Sequence, residues 1–221
     1  MKYTSLFLVT IAIKSYLNSS CPPVKLQTDP KVNLTEYIRK TWYVQQQQIN
    51  GYQKEDDLYC VAATYNKDNH SNVPFFNGDV ISVYNYANLN KVNGIHTNNN
   101  TVLCARVENN TNPEKLTVAP CFLPNIFGGP YWIIDAGPSP NNYEWAIISG
   151  GQPSLRVDND TCTNKLEGLN GSGLWLFSRK PIMNETTLSY LHNVLLKKGI
   201  SSKYLLNVSQ VGCKYDGAFI K

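Results

Sequence analysis

The feature that most constrains the fold is a series of eight short runs rich in Val, Ile, Tyr, Trp and Thr. Clusters of Asn, Gly, Pro and Asp separate most of these runs, and such residues favour turns because of their backbone preferences. The runs occupy residues 41–48, 58–66, 79–89, 101–108, 115–122, 131–137, 143–149 and 173–179. Closing the sheet removes its unpaired edges, so the pattern predicts an all-β fold, an eight-stranded up-and-down antiparallel barrel.

One helix is predicted after the last run. Leu188, Leu191 and Leu195 recur at helical spacing, and Asn184 is suited to cap the start of an amphipathic helix. We expect this helix to pack on the side of the barrel. The sequence therefore predicts a single domain over 21–221, with the barrel at about 40–180, the helix at about 184–198 and a C-terminal tail at 199–221.

The N-terminus has the pattern of a signal peptide. Lys2 precedes an apolar run over 5–13, which is too short to span a bilayer, and small polar residues lead to Cys21. We predict a signal peptide over 1–20. Lys14 interrupts the pattern, so an ordinary N-terminal segment remains an alternative, as does a lipid anchor on Cys21.

Cysteines and glycosylation sequons also favour export. Six cysteines with no C-x-x-C pair predict disulfides rather than a metal or redox site. Eight Asn-x-Ser/Thr sequons beyond the predicted signal peptide predict a secreted, extracellular glycoprotein. They lie at Asn33, Asn69, Asn99, Asn109, Asn159, Asn170, Asn184 and Asn207.

Several function classes find little support in the sequence. The net charge is only +4 and the lysines are scattered, so no nucleic-acid partner is expected. His70, His96 and His192 lack the spacing of a metal site, and no catalytic or nucleotide-binding motif is present. We therefore expect no metal, no cofactor and no catalytic residue. Asp135 and Glu144 could face each other across a hairpin, and they are the carboxylates that an enzyme alternative would point to.

Four stretches carry a family resemblance. They are "NLTEYIRKTWYVQQ", "KLTVAPCFLPNIFGGPYWIIDAG", "YEWAIISGGQPS" and "GLWLFSRKP". In order and spacing they resemble the lipocalin family, especially its apolipoprotein D and bacterial and plant branch, over nearly all of 21–213. Two departures stand out: Lys40 replaces the family's glycine, and the segment 150–172 is longer than the family's usual turn.

The resemblance implies structural roles for one Trp–Arg pair and for the cysteines. Arg179 is expected to stack on Trp42 as a clamp at the closed end of the barrel, with an anion-binding or catalytic arginine as the alternative. Cys104 and Cys121 flank 109–115 at nearly equal distances, as opposite positions of a hairpin would. Six cysteines permit fifteen connectivities, and only the resemblance selects among them. The implied disulfides are Cys21–Cys162, Cys60–Cys213 and Cys104–Cys121.

A ligand cavity is the main functional expectation. Small residues beside aromatics on one face of a strand would leave a void that eight strands can enclose. The expected ligand-binding residues are Val44, Val61, Ala63, Tyr65, Asn85 and Trp175, the last three by resemblance to family pocket positions. Alternatively these residues fill the core, although Asn85 would then be a buried amide in need of a partner. The resemblance implies binding and carriage or sequestration of a small hydrophobic ligand: a fatty acid, a sterol- or retinoid-like lipid, or a carotenoid.

A second class of function is an interaction scaffold that binds a protein partner or a membrane through its loops. Phe75 and Phe76 lie in the predicted loop between the second and third strands. If exposed, they would touch a membrane or guard the cavity mouth. The alternative is that they tuck beneath the loop.

Overall fold

The computed structural model describes residues 20–67, 73–97 and 102–221. Almost all of the predicted signal peptide therefore lies outside the described residues, as do Asn69, His70 and Asn99. Within the described ranges, no helix combines the length and the apolar character needed to cross a lipid bilayer.

The described residues contain eleven strands, and eight of them form the barrel that the sequence predicts. Each barrel strand pairs antiparallel with the next, and β10 pairs with β1 to close the sheet. The barrel consists of β1–β7 and β10. The strands are β1 (Trp42–Gln47), β2 (Tyr59–Lys67), β3 (Val80–Asn88), β4 (Val102–Arg106), β5 (Lys115–Pro120), β6 (Gly129–Ser139), β7 (Asn142–Ser149), β8 (Leu155–Arg156), β9 (Cys162–Thr163), β10 (Leu174–Ser178) and β11 (Leu206–Asn207).

The two ends of the barrel differ. A short helix, α1 (Leu34–Tyr37), lies at the end where β1 begins, and its Tyr37 packs into the core inside the barrel. We call this the closed end. Because the strands run alternately up and down, the β1–β2, β3–β4, β5–β6 and β7–β10 connections lie at the opposite end, which we call the mouth.

The predicted C-terminal helix is present as α2 (Glu185–Lys197). Asn184 caps it, with the side-chain oxygen accepting a hydrogen bond from the Thr187 N–H at 2.7 Å. Its buried face packs on the outside of β6, β7 and β10 in a second apolar cluster, separate from the barrel interior. The members of this cluster are Ile134, Trp145, Ile147, Leu174, Leu176, Leu191, Val194, Leu195 and Ile200.

Three disulfides join Cys21 to Cys162, Cys60 to Cys213 and Cys104 to Cys121, the pairing that the resemblance implies. The first ties the N-terminal segment to the long 150–172 connection. The second ties β2 to the C-terminal tail. Closing chain segments of this length stabilises a fold by roughly 2–4 kcal/mol per bridge.

The barrel contains a seam between β1 and β2. These strands pair only where Trp42 and Tyr43 lie opposite Ala63 and Ala62. Beyond that point β2 has a bulge at Cys60, whose φ of +53° is unusual for a residue with a side chain. The strands therefore separate, and their edges need other partners.

Residues 206–210 of the tail fill this seam. β11 pairs with the end of β1, and the Ser209 N–H and C=O bond to Leu58 and Cys60 at the start of β2. The buried Gln210 amide donates to the Val44 carbonyl at 2.7 Å and to the Val61 carbonyl at 2.8 Å. One side chain thus bridges the two strands that fail to pair.

Candidate functional site

A cavity of about 640 Å³ lies inside the barrel and opens at the mouth. Strand alternation turns one face of each barrel strand toward it. All six residues expected to bind ligand line the cavity: Val44, Val61, Ala63, Tyr65, Asn85 and Trp175. Further apolar lining that the sequence analysis did not single out comes from Val83, Ala87, Leu103, Val118 and Phe177.

Trp175 forms part of the wall near the mouth. Its ring lies over Gly173, where an added Cβ would come within 2.1 Å of the ring, and Gly173 has a φ of +94°. Only glycine suits that position, because a side chain would both clash and strain the backbone. Trp175 is half-buried. It is therefore not a fully packed core residue.

Asn85 is exposed rather than buried. It lies opposite Ala63 in the β2–β3 pairing and lines the cavity. Asn85 therefore does not fill the core, as the alternative would require, because the space inside the barrel makes this side chain accessible.

Three tyrosines meet at the floor of the cavity, at the closed end. The Tyr131 hydroxyl lies 2.6 Å from that of Tyr37 and 2.8 Å from that of Tyr65. Burial raises the pKa of Tyr65 to about 12 and raises the pKa values of Tyr37 and Tyr131 as well. All three phenols are therefore neutral at physiological pH. Of these three tyrosines, only Tyr65 was expected to line the cavity.

Beneath this floor, Arg179 stacks on Trp42. The guanidinium carbon lies 3.5 Å from the centre of the indole ring, within cation–π range. Burial lowers the pKa of Arg179 to about 10, so the side chain remains charged at neutral pH. Arg179 is absent from the described lining of the cavity.

The five N–H groups of Arg179 all have backbone carbonyl partners. Nε donates to Tyr143, Nη1 to Lys40 and Thr41, and Nη2 to Glu36 and Tyr37. A guanidinium has five donors, so none remains for a ligand. Lys40, which replaces the family's glycine, takes part through its backbone carbonyl alone.

A second charged group stabilises the same end. The Glu36 carboxylate accepts two hydrogen bonds from Arg39, at 2.7 and 2.8 Å, and one from the Tyr143 N–H at 3.1 Å. The hydrogen bond from Arg39 is the main cause that holds the pKa of Glu36 below its ordinary value. The charged form of Glu36 therefore stabilises the attachment of α1 to β7.

The mouth is formed by the loops that join the strands at this end. Tyr52, Thr97, Leu123, Phe127 and Leu169 line it, one from the β1–β2 connection, one from β3–β4, two from β5–β6 and one from β7–β10. Several of these side chains are apolar yet exposed: Tyr52 by 57%, Phe127 by 59% and Leu169 by 73%.

The long 150–172 segment contributes directly to this mouth. Its β8–β9 hairpin is attached to β1 through the Gln48 amide, which donates to the Thr163 hydroxyl at 2.9 Å. The Gly168 carbonyl accepts a hydrogen bond from the Gly51 N–H at 3.1 Å. These contacts hold 169–172 against the cavity, where these four residues form part of its lining.

Phe75 and Phe76 do not guard the mouth. Their loop joins β2 to β3 and so lies toward the closed end. Phe75 is 98% exposed, whereas Phe76 is half-buried and packs against Val73 and Val80. The two adjacent phenylalanines do not form one exposed pair, and membrane contact through them gains no support.

The carboxylates of the enzyme alternative are not brought together. Asp135 lies opposite Ile147 and forms an ion pair with Lys198 at 3.2 Å. Trp145 and Tyr143, on either side of Glu144, pair with Gly137 and Pro138, so Glu144 does not lie opposite Asp135. Among the described residues, no three His, Cys, Asp or Glu side chains converge as metal ligands.

Six of the eight sequons fall within the described ranges. Asn33 is half-buried and caps α1, whereas the other five are exposed. Asn170 is both a sequon and a residue of the cavity lining. The exposed five are Asn109, Asn159, Asn170, Asn184 and Asn207.

Comparisons with known proteins come from sequence and from structure. The chain matches no protein-family model. It is 23% identical to mouse apolipoprotein D over 193 residues, which are 87% of this chain and 82% of that protein. Among solved structures, apocrustacyanin C2 gives a TM-score of 0.54 at 16% identity, with 89% of this chain and 94% of that chain covered. Lobster apocrustacyanin A1 gives a TM-score of 0.53 at 14% identity, with 93% and 98% covered.

Proposed function

We propose that this chain, a member of the lipocalin family, is a secreted carrier that binds a small hydrophobic molecule inside its barrel. The observation that carries the proposal is the cavity of about 640 Å³ and its largely apolar lining. Ligand pockets in proteins commonly measure roughly 300–1,000 Å³. Removing apolar ligand surface from water would supply roughly 25 cal/mol per Å² of affinity.

The match to apolipoprotein D and the apocrustacyanin-like fold support the same class of function. The ligand classes that we favour are fatty acids, sterol- or retinoid-like lipids and carotenoids. The six predicted lining residues and Phe177 supply the inner wall, and Trp175 is the aromatic side chain nearest the mouth among those six. The Trp42–Arg179 pair acts beneath the floor as a structural clamp.

Secretion is supported by the cysteines and by the sequons. Six cysteines pair in three disulfides, and such bonds persist in oxidising compartments. We propose cleavage of the segment 1–20 and glycosylation at the exposed sequons. A glycan on Asn170 would stand at the cavity mouth.

The carrier hypothesis is tested by ligand recovery and by a matched pair of variants. The chain from Cys21 onward is secreted from a eukaryotic host, extracted with organic solvent and examined by mass spectrometry. Binding of the apolar dye Nile red is then compared in the wild type, Val118→Phe and Val211→Phe. Val118 lines the cavity, whereas Val211 is 73% exposed on the tail.

We expect Val118→Phe to weaken dye binding by about tenfold or more, since its ring occupies space that the ligand needs. Val211→Phe makes the same chemical change outside the barrel and should bind as the wild type does. Recovery of no lipid, together with no dye binding to the folded wild type, would refute the carrier hypothesis and favour an interaction scaffold.

A further inference from the structure

The three hydroxyls at the cavity floor form a chain with Tyr131 in the middle. Tyr131 bonds to Tyr37 at 2.6 Å and to Tyr65 at 2.8 Å. Two hydrogen bonds of ordinary length thus join the three hydroxyls, and Tyr37 and Tyr65 also affect each other's pKa directly. Each phenol has one proton to donate. Two bonds therefore use two protons, and one proton is left over.

The position of the remaining proton follows from burial. Tyr37 is only 1% exposed and is not part of the cavity lining. If Tyr37 kept the unbonded proton, a buried donor would have no partner, which is unfavourable. Tyr37 therefore donates to Tyr131. The spare proton then belongs to Tyr131 or Tyr65, and both of these residues line the cavity.

This donor persists at physiological pH. Burial raises the pKa of Tyr65 to about 12, and it raises the pKa of Tyr131 well above the ordinary value for a phenol. Neither hydroxyl loses its proton near neutrality. The floor thus presents one hydrogen-bond donor at the bottom of a largely apolar cavity.

The charged groups around the cavity determine whether a neutral or a charged ligand oxygen fits at the floor. Among the described lining residues Asp57, in a loop at the mouth, is the single charged side chain. The nearby Arg179 has all five N–H groups bound to carbonyls. A carboxylate at the floor would therefore be buried without a paired cation, which costs far more than burying a neutral oxygen.

We propose that the tyrosine floor is a donor subsite for a neutral carbonyl oxygen, such as that of a ketone or aldehyde, at the leading end of a hydrophobic ligand. This inference rests on the proposed carrier function and names the polar group of its ligand. Tyr65 and Tyr131 are the residues that touch the oxygen. Tyr37 acts through Tyr131, as a positioning residue.

The test compares three ligands of similar length: methyl undecyl ketone, tridecane and laurate. Their affinities are measured by displacement of Nile red from the disulfide-bonded protein. The variants are the double variant Tyr65→Phe/Tyr131→Phe and Tyr190→Phe. Tyr190 lies on α2, is 50% exposed and is absent from the described cavity lining, so Tyr190→Phe is the matched control.

We expect the ratio of ketone affinity to tridecane affinity to be unchanged in Tyr190→Phe and to fall by about 2- to 10-fold in the double variant. The infrared carbonyl stretch of the bound ketone should be shifted down in the wild type and in Tyr190→Phe. That shift should disappear in the double variant. Laurate should bind more weakly than the ketone in the wild type.

Each contrary outcome has a distinct meaning. If tridecane displaces the dye but the ratio is unchanged in the double variant, the subsite is refuted and the carrier function stands. Tighter binding of laurate than of ketone overturns the preference for a neutral oxygen. If no apolar ligand binds, both proposals fail. If the double variant does not fold, an unshifted carbonyl stretch in the wild type overturns the subsite.

Discussion

Replacing Arg179 with Ala should destabilise the protein without weakening ligand binding. The substitution removes the cation that stacks on Trp42 and all five hydrogen bonds to backbone carbonyls. It leaves the cavity lining unchanged. The two effects can therefore be measured separately.

The magnitude follows from the contacts. The cation–π contact contributes about 0.5–2 kcal/mol, and each hydrogen bond contributes about 0.5–1.5 kcal/mol net. Part of this is offset by the cost of burying the charge, which is the main cause that lowers the pKa of Arg179 to about 10. In addition, the Tyr37 carbonyl keeps a donor in the variant, because the Trp42 indole N–H also bonds to it at 2.9 Å. We expect a net loss of about 3 kcal/mol.

Thermal unfolding followed by circular dichroism tests this value. For a chain of 221 residues, a loss of about 3 kcal/mol corresponds to a Tm lower by about 6–12 °C. Arg179→Lys keeps the charge but has only three donors and no planar head, so it should recover less than half of the loss. The exposed neighbour Lys180 supplies the control, and Lys180→Ala should change Tm by no more than about 2 °C.

The affinity for Nile red tests the second part of the prediction, that ligand binding is not weakened. We expect Arg179→Ala to bind the dye within about threefold of the wild type at a temperature where both are folded, a difference below about 0.7 kcal/mol. A loss of binding of more than tenfold with an unchanged Tm would refute the clamp and place Arg179 in the ligand site.

Two further predictions concern stability. The folded-state pKa of Glu36 is lowered, so its stabilising contribution is complete above the ordinary value of 4.5 and is lost as the pH falls through the folded-state pKa. Tm measured from neutral pH downward should therefore fall less steeply in Glu36→Gln than in the wild type; equal slopes would contradict this. At the seam, Gln210→Leu removes the hydrogen bonds to Val44 and Val61 and should lower the free energy of unfolding in urea by about 2–3 kcal/mol. Val211→Ala, an exposed neighbour, should cost under about 0.5 kcal/mol, and equal effects of the two variants would argue against a bridging role for Gln210.

The strands and the helix could be predicted because their signals are local. Alternation, turn residues and the spacing of Leu188, Leu191 and Leu195 act over a few positions. The disulfide pairing is different, because cysteines that are far apart in sequence carry no local information about their partners. Only the family resemblance selected one connectivity among fifteen.

The floor of the cavity could be predicted only in part, for a physical reason. Tyr65 lies on a regular strand whose alternation shows which way it faces. Tyr37 reaches the floor because α1 docks onto the barrel, and Tyr131 lies on β6, whose register with β7 shifts after Ile133. Docking and register shifts depend on contacts between distant segments, which periodicity does not report.

The mouth and the seam are even harder to predict from the sequence, for the same reason. The exposed Leu169 reaches the cavity only because the 150–172 segment is held by Gln48 and Gly51. The strand β11 consists only of Leu206 and Asn207 and is too short to carry a strand pattern of its own. They pair with β1 because the bulge at Cys60 opens a gap beside it.

Because the C-terminal tail fills the seam, the pairs of strands in this barrel cannot all form in the order of synthesis. The strands β1 and β2 emerge early in synthesis, yet part of the edge between them finds its partner only after β10 and α2 have been added to the chain. Contacts of such long sequence separation form slowly, because a large loop must close before they contribute. Until the tail arrives, the unfinished wall exposes unpaired backbone groups, which invite pairing with another chain. The same residues that complete the container for a ligand therefore also end the period in which the nascent chain is most prone to aggregate.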